Sequence, residues 1–204
     1  ERPALYRNST TVDTQELLLE RLAYAANQGT QQNCATVSLK YAISQLGSEV
    51  ADSQLVELID SQSGQTSLLA VKQFAQAQGF YCRAVTTDIE TLKSLDNCQV
   101  ILYLPSKNHF VVLESIDNAY VRLIDLANNK FYYRTDLGFF GMDWQQGTAL
   151  LISDSMISGE LADIADTDLA KITGAETGYR CSQILQDYNV SFCQYVGGQC
   201  GGTY

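Results

Sequence analysis

The stretch Gln28-Gly29-Thr30-Gln31-Gln32-Asn33-Cys34-Ala35-Thr36-Val37-Ser38 decides how this chain is read. Its polar, turn-prone first half ends in Asn33, a side chain suited to cap a helix, and Cys34 follows as the first helical residue. Ala35, Leu39, Ala42, Ile43 and Leu46 recur at helical spacing, so the pattern predicts a buried helix from Cys34 to Leu46, stopped at Gly47. A thiol in the first turn of a helix faces unpaired backbone N–H groups and the positive end of the helix dipole. Both favour thiolate over thiol, and the thiolate is the nucleophile. Unpaired cysteines are more often small buried hydrophobes than nucleophiles, so position alone makes Cys34 a candidate. The rest of the chain has to supply a base.

The sequence has 204 residues, enough for one domain of ordinary size with an appendage. Charged residues make up 18% and the apolar set 46%, a globular composition. A formal net charge of −10 argues against a nucleic acid or an anionic membrane as partner, since both call for a basic surface. No apolar run reaches the roughly 18 residues that a membrane span needs. Glu1-Arg2-Pro3 fits the mature end left by signal removal or a trimmed end. There are six cysteines, none in a Cys-x-x-Cys pattern, and a single histidine, which leaves little material for a metal site; no cofactor is expected. Cys181, Cys193 and Cys200 crowd a Gly- and Tyr-rich C-terminus of the kind that disulfides staple outside the cell. The expected location is therefore extracellular, at the cell surface or periplasmic. The sequons Asn8-Ser9-Thr10 and Asn189-Val190-Ser191 would matter only in a glycosylating host.

The first eighty residues read as helical. Asp13 or Thr14 caps a helix to about Ala26, the Cys34 helix follows, Gln54 to Asp60 reads as a short helix, and Gly64-Gln65-Thr66-Ser67 opens another that stops at Gly79. Strands dominate afterwards: Phe80–Thr86, the continuous apolar run Val100–Leu104 ended by Pro105, Phe110–Leu113, Tyr120–Ile124, Lys130–Arg134 and Thr148–Ile152, with a short helix from Asp88 to Leu95. Helices first and consecutive strands later predict an α+β fold with a mostly antiparallel sheet packed on the N-terminal helices. Residues 1–153 form the expected domain, and 154–204 an acidic, then Gly/Tyr/Cys-rich extension with a helix over Leu161–Ile172.

His109, the single histidine, stands between the loop Pro105-Ser106-Lys107-Asn108 and a strand, where a side chain can project into a cleft. Asp125 ends the next strand; in a hairpin it would lie beside His109 and could fix the imidazole by accepting from Nδ1. Gln28, six residues before Cys34, could donate an amide to an oxyanion, with Gln31 and Gln32 as competitors. Nucleophile, base and orienter thus occur in papain-like order.

On these residues the chain from about Gln28 to Ile152 resembles the family 39 cysteine peptidases, the bacteriocin-processing or double-glycine peptidases. The matching features are Gln28 with Asn33-Cys34-Ala35, then Gly64-Gln65-Thr66-Ser67-Leu68, then Pro105 with His109-Phe110-Val111-Val112-Leu113. Asp125-Leu126 follows, and Phe139-Phe140, Trp144, Gly147 and Ala149-Leu150-Leu151 close the pattern. Asn33, Ala35 and Leu126 replace the family's Asp, Gly and Pro. The resemblance implies a papain-like fold with Cys34 as nucleophile, His109 as general base and acid, Asp125 as orienter and Gln28 as oxyanion donor. It further implies a peptide or protein substrate with Gly-Gly before the cut, suited to a cleft too narrow for side chains.

Two functions compete at this point. One is a secreted thiol peptidase. The other is a non-catalytic peptide-binding or assembly module, forming a homo-oligomer through residues 174–204, whose Val190, Phe192, Tyr195 and Val196 could add a strand to a neighbour's sheet. Apart from Cys34 the cysteines number five, so one is left over in any internal pairing. Cys82–Cys98 is the expected bond, with Cys193–Cys200 or Cys181–Cys193 in the tail and the remaining thiol open to intermolecular pairing.

Overall fold

A computed structural model describes residues 33–125, 132–144 and 147–174. The expected helix ending near Ala26, Gln28, Gln31, Gln32, Leu126, both sequons and the three tail cysteines lie outside the described residues. Among those described, no helix is long and apolar enough to cross a membrane.

The architecture is α+β. Three helices come first: α1 (Cys34–Gln45), α2 (Asp52–Val56) and, after the two-residue strand β1 (Thr66–Ser67), α3 (Leu68–Ala77). Then follow β2 (Tyr81–Thr86), α4 (Ile89–Ser94), β3 (Gln99–Leu104), β4 (His109–Ile116), β5 (Tyr120–Ile124), β6 (Tyr132–Asp136), α5 (Leu137–Asp143) and β7 (Thr148–Ser153). The extension adds β8 (Ala162–Asp163), α6 (Asp166–Leu169) and β9 (Thr173–Gly174). Seven strands form one antiparallel sheet in the order β6-β5-β4-β3-β7-β2-β8, and β1 pairs separately with β9.

The two faces of the sheet explain the hydrophobic patterns. Leu39, Ala42 and Ile43 of α1 and Leu68, Val71 and Ala75 of α3 pack with Ile101, Phe110, Val112, Leu150 and Ile152 on one face. Val100, Leu102, Val111, Leu113 and Leu151 point the other way, under Leu92 of α4 and Phe140 and Trp144 at α5. Central strands covered on both faces need apolar residues at every position, which is why β3 reads as an unbroken run. Trp144 stacks on Phe140 at 5.3 Å and donates its indole N–H to Thr148 O at 2.9 Å, closing the turn into β7.

Three expectations need correction. The short helix begins at Asp52 and ends at Val56, two residues before the expected start and four before the expected end. Gln54 sits at the third helical position and its Oε1 accepts from Ala51 N at 3.3 Å, closing the N-terminus ahead of the start that the leucine spacing suggests. Cys82 and Cys98 form no disulfide: Cys82 packs on the α1–α3 face and Cys98 on the opposite one. β7 runs between β2 and β3, so the two cysteines are separated by a strand as well as by the sheet itself.

The third correction concerns the extension. Leu161–Ile172 is not a helix; only Asp166–Leu169 is helical, between two short strand pairings. Arg83 on β2 overrides the helical pattern. Its guanidinium takes both Asp163 carboxylate oxygens at 2.9 Å and donates to the carbonyls of Gly159 and Leu161 at 3.1 Å. Carbonyls drawn outward onto an arginine fork cannot serve an α-helix. Beyond it, Lys72 of α3 pairs with Asp166 at 2.8 Å and Leu169 is completely buried. Burying that leucine stabilises the docked extension by about 1.5–3 kcal/mol.

Candidate active site

Cys34 is held by the cap of α1. Asn33 is extended (φ −103°, ψ 174°) and its Oδ1 accepts from the N–H groups of Ala35 and Thr36 at 3.1 and 3.2 Å. The Thr36 hydroxyl completes a capping box by accepting from Asn33 N at 3.1 Å. The other half of the amide looks outward: Asn33 Nδ2 donates to Thr66 Oγ1 at 2.9 Å and to Gly64 O at 3.1 Å. Buried Asn33 therefore fastens the helix start to β1 with an acceptor and two donors at once.

A carboxylate in the same place could cap the helix but could not donate to the Gly64 carbonyl. Asn33→Asp, the change toward the resembled pattern, is expected to destabilise the fold by about 1–3 kcal/mol. A lowered urea midpoint at unchanged slope would register it; an unaltered midpoint would refute this account of the cap.

His109 is the first residue of β4, where β4 pairs with β3 through Leu104. The preceding turn, Pro105–Lys107, ends in Asn108 with a left-handed backbone (φ 46°). Three side-chain contacts hold it there. Tyr103 donates its hydroxyl to Asn108 Oδ1 at 2.8 Å, Ser106 donates to Asp143 Oδ1 at 3.0 Å, and Lys107 forms an ion pair with the same carboxylate. Tyr103, Asn108 and Asp143 escape a reading of the sequence, since each acts through a partner that only the fold brings near. Asn at a turn position is the one local signal.

The imidazole of His109 and the carboxylate of Asp125 are both buried, with Nε2 and Oδ2 2.8 Å apart. The sequence led to an expectation of Nδ1 at this contact; the ring uses Nε2 instead. Cys34 acts on the same ring, and its influence adds to that of Asp125. Burial, the largest influence, works against a charged ring. The charge and hydrogen bond of Asp125, joined by Cys34, overcome it and push the imidazole up to about 10. A proton on that ring at neutral pH, beside a helix-start thiol and backed by a carboxylate, is suited to pair with a thiolate and to protonate a leaving amine.

Tyr103 also senses the thiol: burial first, and the charge of Cys34 second, raise its phenol above the ordinary range. Cys82 is a contrast. Burial pushes its thiol up to about 12 against the opposing charge of Lys72, which leaves it inert. The hollow lined by Leu95, Cys98, Ser153, Met156 and Ile157 contains none of Cys34, His109 and Asp125. Among the described residues no His, Cys, Asp and Glu cluster is placed to hold a metal ion.

The model of the peptidase C39 family matches residues 23–156. The peptidase domain of Streptococcus ComA, a bifunctional ABC transporter involved in a quorum-sensing pathway, is 20% identical with a TM-score of 0.54, covering 63% of this chain and 96% of that one. A double glycine motif protease from an AMS/PCAT transporter, solved in complex with the leader peptide, is also 20% identical with a TM-score of 0.54, covering 63% and 89%. At such identity the likeness is one of fold. Comparison with curated proteins gives no match.

Proposed function

Since the chain belongs to the peptidase C39 family, we propose that it is a cysteine endopeptidase working outside the cytoplasm on peptides with two small residues before the cut. Cys34 attacks the scissile carbonyl, His109 protonates the departing amine, and water then resolves the acyl-enzyme with His109 as base. Asp125 orients the ring and supports its charge, and Gln28 donates to the oxyanion with the backbone N–H of Cys34. The observation that carries this proposal is the buried imidazole held between Asp125 and the helix-start thiol.

A non-catalytic peptidase-like module is the second reading, and one observation favours it. Cys34 is completely buried, and Gly174 from the extension lies against it. Alkylation with iodoacetamide separates the two. A thiolate–imidazolium pair should let Cys34 react at pH 6 nearly as fast as at pH 8, whereas an ordinary thiol slows about 100-fold over that interval. Free cysteine alkylated under the same conditions is the control. Parallel pH profiles for the two thiols would count against the peptidase.

A further inference from the structure

Residues 157–174 lie beyond the family match, yet they return to the active site. Their path is fixed at each step. Arg83 grips Asp163, Ile164 N donates to Ala84 O at 2.8 Å, and Lys72 pairs with Asp166. Ile164, Leu169 and Ile172 sink into the same apolar cluster as α1 and α3. Leu68 N, an open donor at the start of α3, donates to Ile172 O at 2.8 Å. Thr173 and Gly174 then run antiparallel to Ser67 and Thr66, and Thr66 is the residue whose hydroxyl is fastened to Asn33 beside the nucleophile.

Gly174 ends that path at the thiol. A Cβ built there would stand 3.0 Å from Cys34 Sγ and 2.5 Å from the Phe110 ring, so only glycine fits. In the sequence Gly174 is followed by Ala175-Glu176, so the glycine that lies against the thiol is the first of two consecutive small residues.

We propose that this segment is the enzyme's own substrate, bound in cis, and that Cys34 cuts the chain at the Gly174-Ala175 pair. This deepens the peptidase proposal and rests on it. Cys34 Sγ attacks the carbonyl carbon of Gly174 or of Ala175. The C–N bond breaks as the amine takes the proton from His109, leaving a thioester on Cys34. Water, giving its proton to His109, attacks that thioester, freeing a carboxylate terminus and the thiol. The released piece begins at Ala175 or Glu176 and carries Cys181, Cys193 and Cys200. Anchors at Ile164, Leu169 and Ile172, with Asp163 and Asp166 met by Arg83 and Lys72, give the groove the chemistry of a receptor for an acidic, amphipathic peptide ending in small residues.

The test uses the full chain, followed by intact mass. Wild type should divide at Gly174-Ala175-Glu176 with a rate constant unchanged over 100-fold dilution, and Cys34→Ala should remain whole. Gly174→Val should also remain whole, since its side chain cannot enter beside Cys34 and Phe110, and its vacated site should cut an added synthetic copy of residues 160–182. Leu169→Asp, which removes the apolar anchor, should slow self-cutting at least tenfold if Gly174→Val fails to fold. A wild-type chain that stays whole while Gly174→Val cuts the added peptide would overturn the cis substrate and leave the peptidase standing. A rate proportional to concentration, or a cut elsewhere, would overturn it too. If no form cuts either the chain or the peptide, both proposals fall.

Discussion

Cys34→Ala is expected to remove peptide-bond cleavage almost completely, by a factor on the order of 10⁴ or more, while the protein still folds. Only the sulfur is lost, and its neighbours at the helix start are backbone groups fixed by Asn33 and Thr36 rather than by the thiol. The cost of so small a cavity is about 1 kcal/mol, well below that of truncating a leucine in the same core. Cleavage assays on a Gly-Gly peptide, run beside a thermal melt, make the comparison. Wild-type rates from a folded Cys34→Ala variant would take Cys34 out of the chemistry. A variant that neither cleaves nor folds would show instead that the sulfur is structural.

Much of this architecture was legible because its signals are local. Asn33 before an apolar helical period marked the start of α1, and the unbroken run in β3 marked a strand covered on both faces. The order Cys34, His109, Asp125 could be read as nucleophile, base and orienter, although which ring nitrogen meets Asp125 could not, since that depends on the angle at which the side chain leaves β4. The extension was misread for a different reason. Leu161–Ile172 has helix-like spacing, but Arg83, eighty residues from Asp163, and the strand pairings at either end leave only Asp166–Leu169 helical. Tertiary contacts with partners that distant leave no trace in a local pattern. Gly174 is the same case in miniature: in the sequence it is one glycine of 14, and only its approach to Cys34 and Phe110 sets it apart.

The pH dependence should follow the proton on His109. Its folded-state value is raised from 6.5 to about 10, so the stabilising contribution of the charged ring is fully present below about 6.5 and fades as pH climbs through about 10. The alkaline limb of kcat/KM should fall in the same region, where the acid that protonates the leaving amine is lost. Asp125→Asn keeps an acceptor at the end of the side chain but removes the charge that opposes burial. With desolvation left as the largest influence, the ring loses its proton more easily, and the alkaline limb should move down by more than one pH unit. Activity at neutral pH should drop on the order of 10- to 100-fold, less than for loss of the nucleophile, because the thiol and the imidazole remain in place. Profiles of kcat/KM on a Gly-Gly peptide between pH 6 and 10.5 measure both effects. Superimposable limbs for wild type and Asp125→Asn would mean that the carboxylate does not hold the imidazolium, and the charge on the ring would then need another source.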